Sequence, residues 1–356
     1  MFHIEMLPAY HGDSLWIEWG NRGSPNRLLI DGGLSGTYNA IVNRAGERCR
    51  LELFCVTHVD QDHVEGAVKL LANLPATLEI RQVWFNGWDQ VSGASRLGAV
   101  QGEKLGAAIV NHAGLPWNKS FQGKAVVVPP DGNLPNFEFE GLTLTVLSPG
   151  KDQLIALKPV WERECAKAGL TPGSIEEAEE ALLEDRRLRP RRLGESVDVT
   201  SLAEEVYVAD SAPANGSSIA LLAEYDGKAL LLGADAHSEV IEAGIRRLLS
   251  QRRQKRLTVD AFKMCHHGSK YNNSAALIGL LDCPRWLVST NGDKFHHPDR
   301  ETIARVLAAH RSDDKELFFN YRSDDNQVWE LDSLQRDWKY AAAYPRSDKG
   351  GIVVEL

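Results

Sequence analysis

The sequence has no run of about 18 apolar residues, the length that a membrane-spanning helix needs. Its first residues also lack the basic stretch and apolar segment of a secretory signal. The five cysteines are widely spaced and include no CxxC pair, so they indicate neither a disulfide framework nor a thiolate zinc site. These absences predict a cytoplasmic protein that binds no membrane and keeps its cysteines reduced.

Three signature motifs are also missing: the GxSxG elbow, the GxxxxGK[ST] phosphate loop and the GxGxxG fingerprint, which argues against a serine hydrolase, an NTPase and a dehydrogenase. The formal charge of −9 argues against a protein that coats nucleic acid non-specifically, because a negative surface repels phosphates. One basic cluster is either a solvated charge run that closes an acidic helix or a phosphate contact. Its members are Arg186, Arg187, Arg189, Arg191 and Arg192.

Apolar and alternating runs predict strands in both halves of the chain, with helical patterns between them. The strands are predicted at 2–6, 14–19, 27–31, 51–56, 80–85, 125–128, 142–147, 217–224, 228–233, 259–264 and 285–289. The helices are predicted near 64–73, 95–113, 237–251, 272–281 and 299–310. Two similar halves predict an α+β sandwich of sheets covered by outer helices. Residues 151–214 carry few large apolar side chains and are predicted to be a helical insertion within a single domain spanning 1–356.

The strongest chemical signal is the segment from Thr57 to Gly66, which reads THVDQDHVEG and directly follows the apolar strand at 51–56. Two imidazoles and two carboxylates make poor core material, because buried carboxylates are costly unless they are paired or bind metal. The alternative is a polar surface loop whose aspartates cap a helix, and Asp62 and His63 do stand where a helix from about Val64 would begin.

The spacing in this segment predicts two adjacent metal sites. Residues two apart on an extended segment point the same way, so His58, Asp60 and Asp62 converge while His63 faces a neighbouring site. Imidazole suits Zn, Fe and Mn alike, whereas an added carboxylate favours harder ions such as Mn²⁺ or Mg²⁺. We therefore expect two divalent metal ions as cofactors, with Mn²⁺ and Zn²⁺ the leading candidates.

The segment resembles the HxHxDH signature of the metallo-β-lactamase superfamily, with Asp60 in place of the second histidine. The HxDxDH form is similar to the metallo-β-lactamase-like domain of bacterial competence (DNA-uptake) proteins and its stand-alone relatives. Further landmarks follow in the same order over most of residues 1–310: His11–Ser14, Asp31–Gly33, Leu147–Pro149, Asn215–Ser218, Gly233–Asp235, His266–Lys270 and His297–Pro298. The resemblance implies an αββα sandwich of the metallo-β-lactamase type.

The resemblance also implies roles for residues at strand ends. Asp235 would bridge the two metals, although the residue type also fits a helix N-cap. His266 is the expected last metal ligand, with His267 in the outer shell or the substrate pocket, and the sequence leaves the choice between them open. Asp31 begins an ordinary tight turn or orients a ligand histidine.

Three residues are predicted to take part in catalysis: Asp62, Lys270 and His297. Lys270 would attract an anionic substrate, although a lone lysine is usually solvent-exposed. His297 would touch the substrate or simply precede a helix.

One departure from the family concerns the third histidine of the first metal site, for which no loop is evident. Asp210, Asn215 or a water molecule would complete the shell instead. The aromatic segment 83–88 either stacks a base or packs in the core.

Hydrolysis by a metal-bound hydroxide is the reaction class that these residues favour, because two metals hold and activate water without a protein nucleophile. The resemblance implies phosphodiester cleavage, so we expect a phosphodiesterase or nuclease acting on DNA or RNA. One alternative is a hydrolase of a small ester, lactone or cyclic nucleotide, and another is a non-catalytic metal-binding or scaffold protein. The sequence does not predict the oligomeric state.

Overall fold

Two β-sheets stacked face to face form the centre of the molecule. The structure is a computed structural model that describes residues 1–92, 100–112, 114–168, 197–309 and 314–356. In the described part, the first sheet has six strands in the order β18 (Ile352–Glu355), β1 (Phe2–Met6), β2 (Leu15–Asn21), β3 (Ser24–Ile30), β5 (Leu53–Cys55) and β7 (Val83–Trp84). The strands from β18 to β3 are antiparallel, whereas β3, β5 and β7 run parallel.

The second sheet joins a parallel half to an antiparallel half. Its eight described strands are β17 (Tyr340–Ala343), β16 (Lys315–Phe319), β15 (Arg285–Val288), β13 (Ala261–Lys263), β11 (Lys228–Leu232), β10 (Ala220–Tyr225), β9 (Leu142–Ser148) and β8 (Asn136–Phe139). Pairing is parallel from β17 to β11 and antiparallel from β11 to β8. Two short parallel pairs, β4 (Cys49–Leu51) with β6 (Leu78–Ile80) and β12 (Leu257–Thr258) with β14 (Leu281–Asp282), lie beside the sheets.

The side chains of each strand point alternately to its two faces, which divides the apolar side chains among three cores. On β3, Leu28 faces the second sheet while its neighbour Leu29 faces the outer helices. On β11, Leu230 likewise faces the first sheet and Leu231 faces the opposite way. Because successive side chains of a strand point to opposite faces, each sheet contributes to the shared core and to one outer core.

Helices cover both outer faces. Those over the first sheet are α1 (Tyr38–Ala45), α2 (Gln61–Ala72), α3 (Trp88–Ser92), α4 (Val100–Asn111) and α5 (Lys151–Lys167). Those over the second are α6 (Val199–Ala203), α8 (Ser238–Arg252), α9 (Ala275–Gly279), α10 (Arg300–Ala308) and α11 (Asp332–Trp338), while α7 (Pro213–Gly216) contacts α5. Short 3₁₀ helices span Ser35–Thr37, Lys119–Phe121, Cys265–Gly268 and Gln327–Glu330. This order of layers confirms the predicted αββα sandwich.

Two local predictions were wrong. The run at 125–128 forms no strand, since its one β-bridge, between Val128 and Gly150, lies outside the strands of either sheet. Helix α2 begins at Gln61 and not near Val64, which places Asp60 at the N-cap and Asp62 in the first turn.

The predicted insertion begins with a helix that belongs to the core. Leu157, Trp161 and Cys165 of α5 are buried against the first sheet's outer helices. The acidic helical pattern and the arginine cluster at 186–192 lie outside the described residues, so the boundaries of the insertion stay a prediction. Within the described ranges, no helix has both the length and the apolar character needed to cross a membrane.

Candidate metal centre

One carboxylate oxygen is the focus of the site. The Oδ2 atom of Asp235, which follows β11, lies 3.3 Å from Nε2 of His63 and 3.6 Å from Nε2 of His267. The Nε2 atoms of His266 and His58 lie 3.7 and 3.9 Å from the same oxygen. Four imidazoles supplied by loops of both sheets therefore converge on a single carboxylate.

Several of these polar atoms have no partner. In the part of the chain that the structure describes, the Nε2 atoms of His58, His63 and His267 are buried and make no hydrogen bond, and the same holds for Oδ1 of Asp235. A buried polar atom without a partner costs free energy, so such atoms are rare in folded proteins. Four of them pointing into one small space fit a bound cation.

The remaining carboxylates divide this space into two sides. The ligand atoms of Asp62, His63 and His267 lie within 4.8 Å of one another, as do those of His58, His63 and Asp235. Asp60 lies on the His58 side, with its Oδ2 3.6 Å from His58 Nε2 and its side chain 43% exposed. The HxDxDH segment thus contributes donors to both sides, but not in the predicted grouping: Asp62 lies with His63 and not with His58 and Asp60. The reason is that α2 begins at Gln61, so the extended segment ends before Asp62.

The two adjacent histidines reach Asp235 because their backbone is unusual. His266 and His267 have φ angles of 44° and 53°, in the left-handed region that few non-glycine residues adopt. The buried Asn273 side chain holds this turn by accepting from the backbone N–H of Cys265 and donating to the carbonyls of Cys265 and Ser269. A strained backbone that surrounding contacts hold in place is common at functional sites.

This geometry corrects the expected choice between the two histidines. His267, which was expected in the outer shell or the substrate pocket, is completely buried and its Nε2 lies 3.6 Å from Oδ2 of Asp62. Its Nδ1 is 2.7 Å from the carbonyl of Ser289, which fixes the ring. His266 also faces Asp235, so the structure places both rings at the centre and puts His267 with the Asp62 side.

Behind His266 lies a polar layer that includes both proposed substitutes for the missing histidine. Nδ1 of His266 is 3.0 Å from Oδ1 of Asn272 and 3.3 Å from Nδ2 of Asn215. Asp210 accepts hydrogen bonds from both amides, at 2.9 Å from Asn272 and 2.7 Å from Asn215. Asp210 and Asn215 therefore stand behind the ring of His266, on the side away from Asp235.

Asp31 supports the segment that carries His58 and His63 through hydrogen bonds to Thr57 and His63. Its carboxylate accepts from the backbone N–H and the hydroxyl of Thr57, at 2.7 and 2.8 Å, and lies 2.8 Å from Nδ1 of His63. A carboxylate only accepts hydrogen bonds, so Nδ1 of His63 carries the proton and Nε2 faces Asp235. Asp31 thus orients a histidine of the cluster, as one of the two sequence interpretations expected.

A fully buried ion pair underlies the cluster, and sequence reasoning missed it. The ammonium of Lys263, on β13, donates to Oδ2 of Asp13 and, at 3.1 Å, to the carbonyl of Met264. Oδ1 of Asp13 lies 3.5 Å from Nδ1 of His267. The only sequence signal was a lone lysine within an otherwise apolar strand, since fully buried lysines are rare unless paired.

The charges of the cluster stabilise one another. Burial lowers the pKa of His63, but Asp235 and Asp31 outweigh it and raise that pKa well above its usual value. Burial also lowers the pKa of His267, while Asp235 and Asp13 raise it to about 10. Burial would raise the pKa of Asp235, yet the histidines hold it well below its usual range. Imidazoles that carry protons here can exchange them for divalent cations.

The structure does not place Lys270 with the cluster. Its ammonium pairs with the carboxylate of Glu301 on α10, so its charge is already compensated. The expected role of Lys270 as a free cation for the substrate is therefore not supported.

His297, by contrast, lies beside the cluster. Its ring centroid is 5.4 Å from that of His266, and its Nδ1 is 3.4 Å from Oδ2 of Asp299. The aromatic segment at 83–88 packs in the core, as one of its two sequence interpretations expected. Trp84 and Phe85 are fully buried and belong to the apolar cores.

No protein-family model matches the chain, and no curated protein matches it either. Solved structures do. Zn²⁺-bound PqqB from Methylobacterium extorquens is 11% identical over 99% of this chain and 100% of that chain, with a TM-score of 0.42. The metallo-β-lactamase fold protein YhfI from Bacillus subtilis is 10% identical over 99% of both chains, with a TM-score of 0.41. A diphosphatase of the PhnP family is 11% identical over 100% of this chain and 98% of that chain, with a TM-score of 0.38. The resemblance to competence proteins stays a prediction.

Proposed function

We propose that this protein binds two divalent metal ions and hydrolyses phosphodiester bonds. The observation that carries the proposal is the convergence of four imidazole Nε2 atoms on Asp235, three of them buried and without a hydrogen-bond partner among the described residues. Structural histidines normally satisfy both ring nitrogens when they are buried. A cluster that leaves them free is therefore better suited to metal binding than to holding the fold together.

The ligands divide between two positions with Asp235 shared. The first position would be held by His58, Asp60 and His266, and the second by Asp62, His63 and His267. His266 would then supply the third histidine, for which no separate loop was evident in the sequence. When bound, a pair of divalent ions supplies Lewis acidity and lowers the pKa of water toward neutrality.

The chain's own groups supply orientation and a proton. Asp31 fixes the ring of His63, and Ser289 fixes that of His267, so the ligands are held before any metal binds. We assign to His297 the delivery of a proton to the leaving oxygen, because it lies next to His266 and its Nδ1 is 3.4 Å from the carboxylate of Asp299. No side chain is needed as a nucleophile.

The donor set favours a phosphodiester over a neutral ester. Asp60, Asp62 and Asp235 contribute oxygen donors beside the imidazoles, and carboxylates favour harder ions such as Mn²⁺. Such ions stabilise the charge that develops on phosphoryl oxygens. We therefore extend the proposal to DNA, RNA or their fragments as substrates.

A second candidate, hydrolysis of a small ester, has one observation in its favour. A recess of about 440 Å³ opens beside Asp60, and its walls include Val59, Leu157, Trp161 and Ala214. Mostly apolar recesses of this size suit small molecules. This candidate predicts turnover of uncharged chromogenic esters.

The test measures hydrolysis of bis-p-nitrophenyl phosphate and of labelled single-stranded DNA and RNA with Mn²⁺, Mg²⁺ or Zn²⁺. We expect metal-dependent cleavage that falls at least about a hundredfold in Asp62→Asn, since that change removes one metal ligand. Asp226→Asn is the matched control, because Asp226 lies in the turn between β10 and β11, away from the cluster.

The outcomes separate the candidates. Cleavage of neutral esters alone would replace the phosphodiesterase proposal with the small-ester candidate. Equal activity in Asp62→Asn and Asp226→Asn would refute the metal-dependent mechanism.

A further inference from the structure

We propose that Phe295 is a stacking platform for an unpaired base of the substrate, placed at the rim of the metal centre. The inference rests on the proposed phosphodiesterase function and specifies the substrate class: a phosphodiester that carries an aromatic base next to the scissile bond.

The first observation is where aromatic side chains are exposed. Among the Phe, Tyr and Trp residues that the structure describes, Tyr10, Tyr271 and Phe295 have exposed side chains, at 46, 44 and 44%. Tyr10 precedes His11, Tyr271 follows the turn that carries His266, and Phe295 lies two residues before His297. Of the three, Phe295 has ring contacts with His266 and His297, and an exposed aromatic ring at such a place favours a ligand with a ring of its own.

The second observation is the packing of Phe295 itself. Its ring stacks on that of His297, with centroids 6.1 Å apart and planes 27° apart. It also lies edge-on to His266 at 6.5 Å and to His11 at 5.9 Å. Contact with three imidazoles fixes the ring next to the residues that would hold the metal and deliver the proton.

The third observation is a cation on the same ring. The ammonium of Lys294 lies 4.7 Å from the centroid of Phe295, and both side chains are exposed. A cation–π contact at an exposed site is weaker than the stacking of a base on an aromatic ring. A base therefore replaces the ammonium, which becomes available to a phosphate oxygen of the same strand.

Tyr10 is tied to the same loop. Its carbonyl accepts a hydrogen bond of 2.8 Å from the backbone N–H of Asn291, and its own N–H donates to the hydroxyl of Tyr321. The rim is thus built from two segments that are joined to each other, which gives the platform a fixed position. Aromatic platforms beside a cationic group are the usual means of binding single strands without reading their sequence.

The test compares binding of two fluorescein-labelled single strands of equal length to the full chain with Ca²⁺: a thymidine hexamer and an abasic hexamer. We expect the wild type to bind the thymidine strand about tenfold more tightly, and Phe295→Ala to lose that preference. Phe295→Trp should restore it. The control Ile155→Ala removes a side chain that is 54% exposed on α5 and should keep the preference.

Equal binding of the two strands by the wild type, or a preference that survives Phe295→Ala, would overturn the inference. Hydrolysis of bis-p-nitrophenyl phosphate by the wild type and by Asp62→Asn is measured alongside. If the proposed function is wrong, the wild type shows no metal-dependent hydrolysis. If only the stacking proposal is wrong, the wild type keeps that hydrolysis and shows no base preference that depends on Phe295.

Discussion

Replacing Asp31 by Asn should weaken metal binding while leaving the chain folded. Asp31 has a φ of 59°, a conformation that Asn tolerates better than most residues, so the backbone need not change. The side chain keeps its shape, and the amide oxygen can still accept from the N–H of Thr57. What changes is the group that faces Nδ1 of His63 and the hydroxyl of Thr57, which both lie 2.8 Å from Oδ2 of Asp31.

The expected loss of metal affinity in Asp31→Asn follows from the tautomer of His63. The carboxylate of Asp31 lies 2.8 Å from Nδ1 and requires that atom to donate. An amide NH₂ at the same place requires Nδ1 to accept, which moves the ring proton to Nε2, the atom that faces Asp235 at 3.3 Å. A protonated nitrogen binds no metal. Loss of such a supporting contact weakens metal affinity by about 10- to 100-fold, or about 1.4–2.7 kcal/mol.

The assay measures dissociation constants for Zn²⁺ and Mn²⁺ by competition with a chromogenic chelator. Urea unfolding of the metal-free proteins runs in parallel, and there we expect a loss of only about 1 kcal/mol, the value of one hydrogen bond. Metal affinity of Asp31→Asn within twofold of the wild type would refute the reasoning about the tautomer. A large loss of stability without metal would show instead that Asp31 acts on the fold.

Two predictions concern stability alone. In Gly66→Ala the added Cβ would lie 2.0 Å from the backbone oxygen of Gly32, so we expect urea unfolding to show a loss of about 3 kcal/mol in the free energy of unfolding. Gly279→Ala is the control: its added Cβ would have no heavy atom within 4 Å, and we expect a change of less than about 0.5 kcal/mol. Glu18→Gln should be destabilising at pH 7: burial raises the pKa of Glu18, but hydrogen bonds from His3 and its other partners hold it well below the usual value. The ionised form therefore stabilises the fold above the unfolded-state pKa of about 4.5, and the difference between variant and wild type should shrink as unfolding is measured below about pH 4.

The parts of the site that could be predicted are those encoded locally. The short segment that holds His58, Asp60, Asp62 and His63 brings all four side chains to one place, although their spacing predicted the wrong grouping, since Asp62 lies with His63. Asp235 was predictable because it follows a very apolar strand, where a buried carboxylate is costly unless it is paired or binds metal. The sandwich of sheets covered by outer helices followed from the two similar strand-and-helix halves, and its αββα type from the resemblance to the metallo-β-lactamase superfamily.

The parts that could not be predicted depend on contacts between distant segments. The choice between His266 and His267 depends on a left-handed turn held by Asn273, which no spacing rule reveals. The pairing of Lys270 with Glu301 joins a loop to helix α10, and the pairing of Lys263 with Asp13 joins strand β13 to the loop after β1. The false strand at 125–128 shows the reverse case, in which an apolar run has the composition of a strand and no partner along the sheet.

The position of the centre has a mechanical consequence. Its donors come from the loop after β5 and the first turn of α2 on one side, and from the segments after β11 and β13 on the other. A metal ion bound there is a cross-link between the two layers, and sliding one sheet over the other would stretch its coordination bonds. Removal of the metal by a chelator would then weaken the packing between the two sheets more than the pairing within either sheet. Backbone amides of residues in the shared core should therefore exchange faster after chelation.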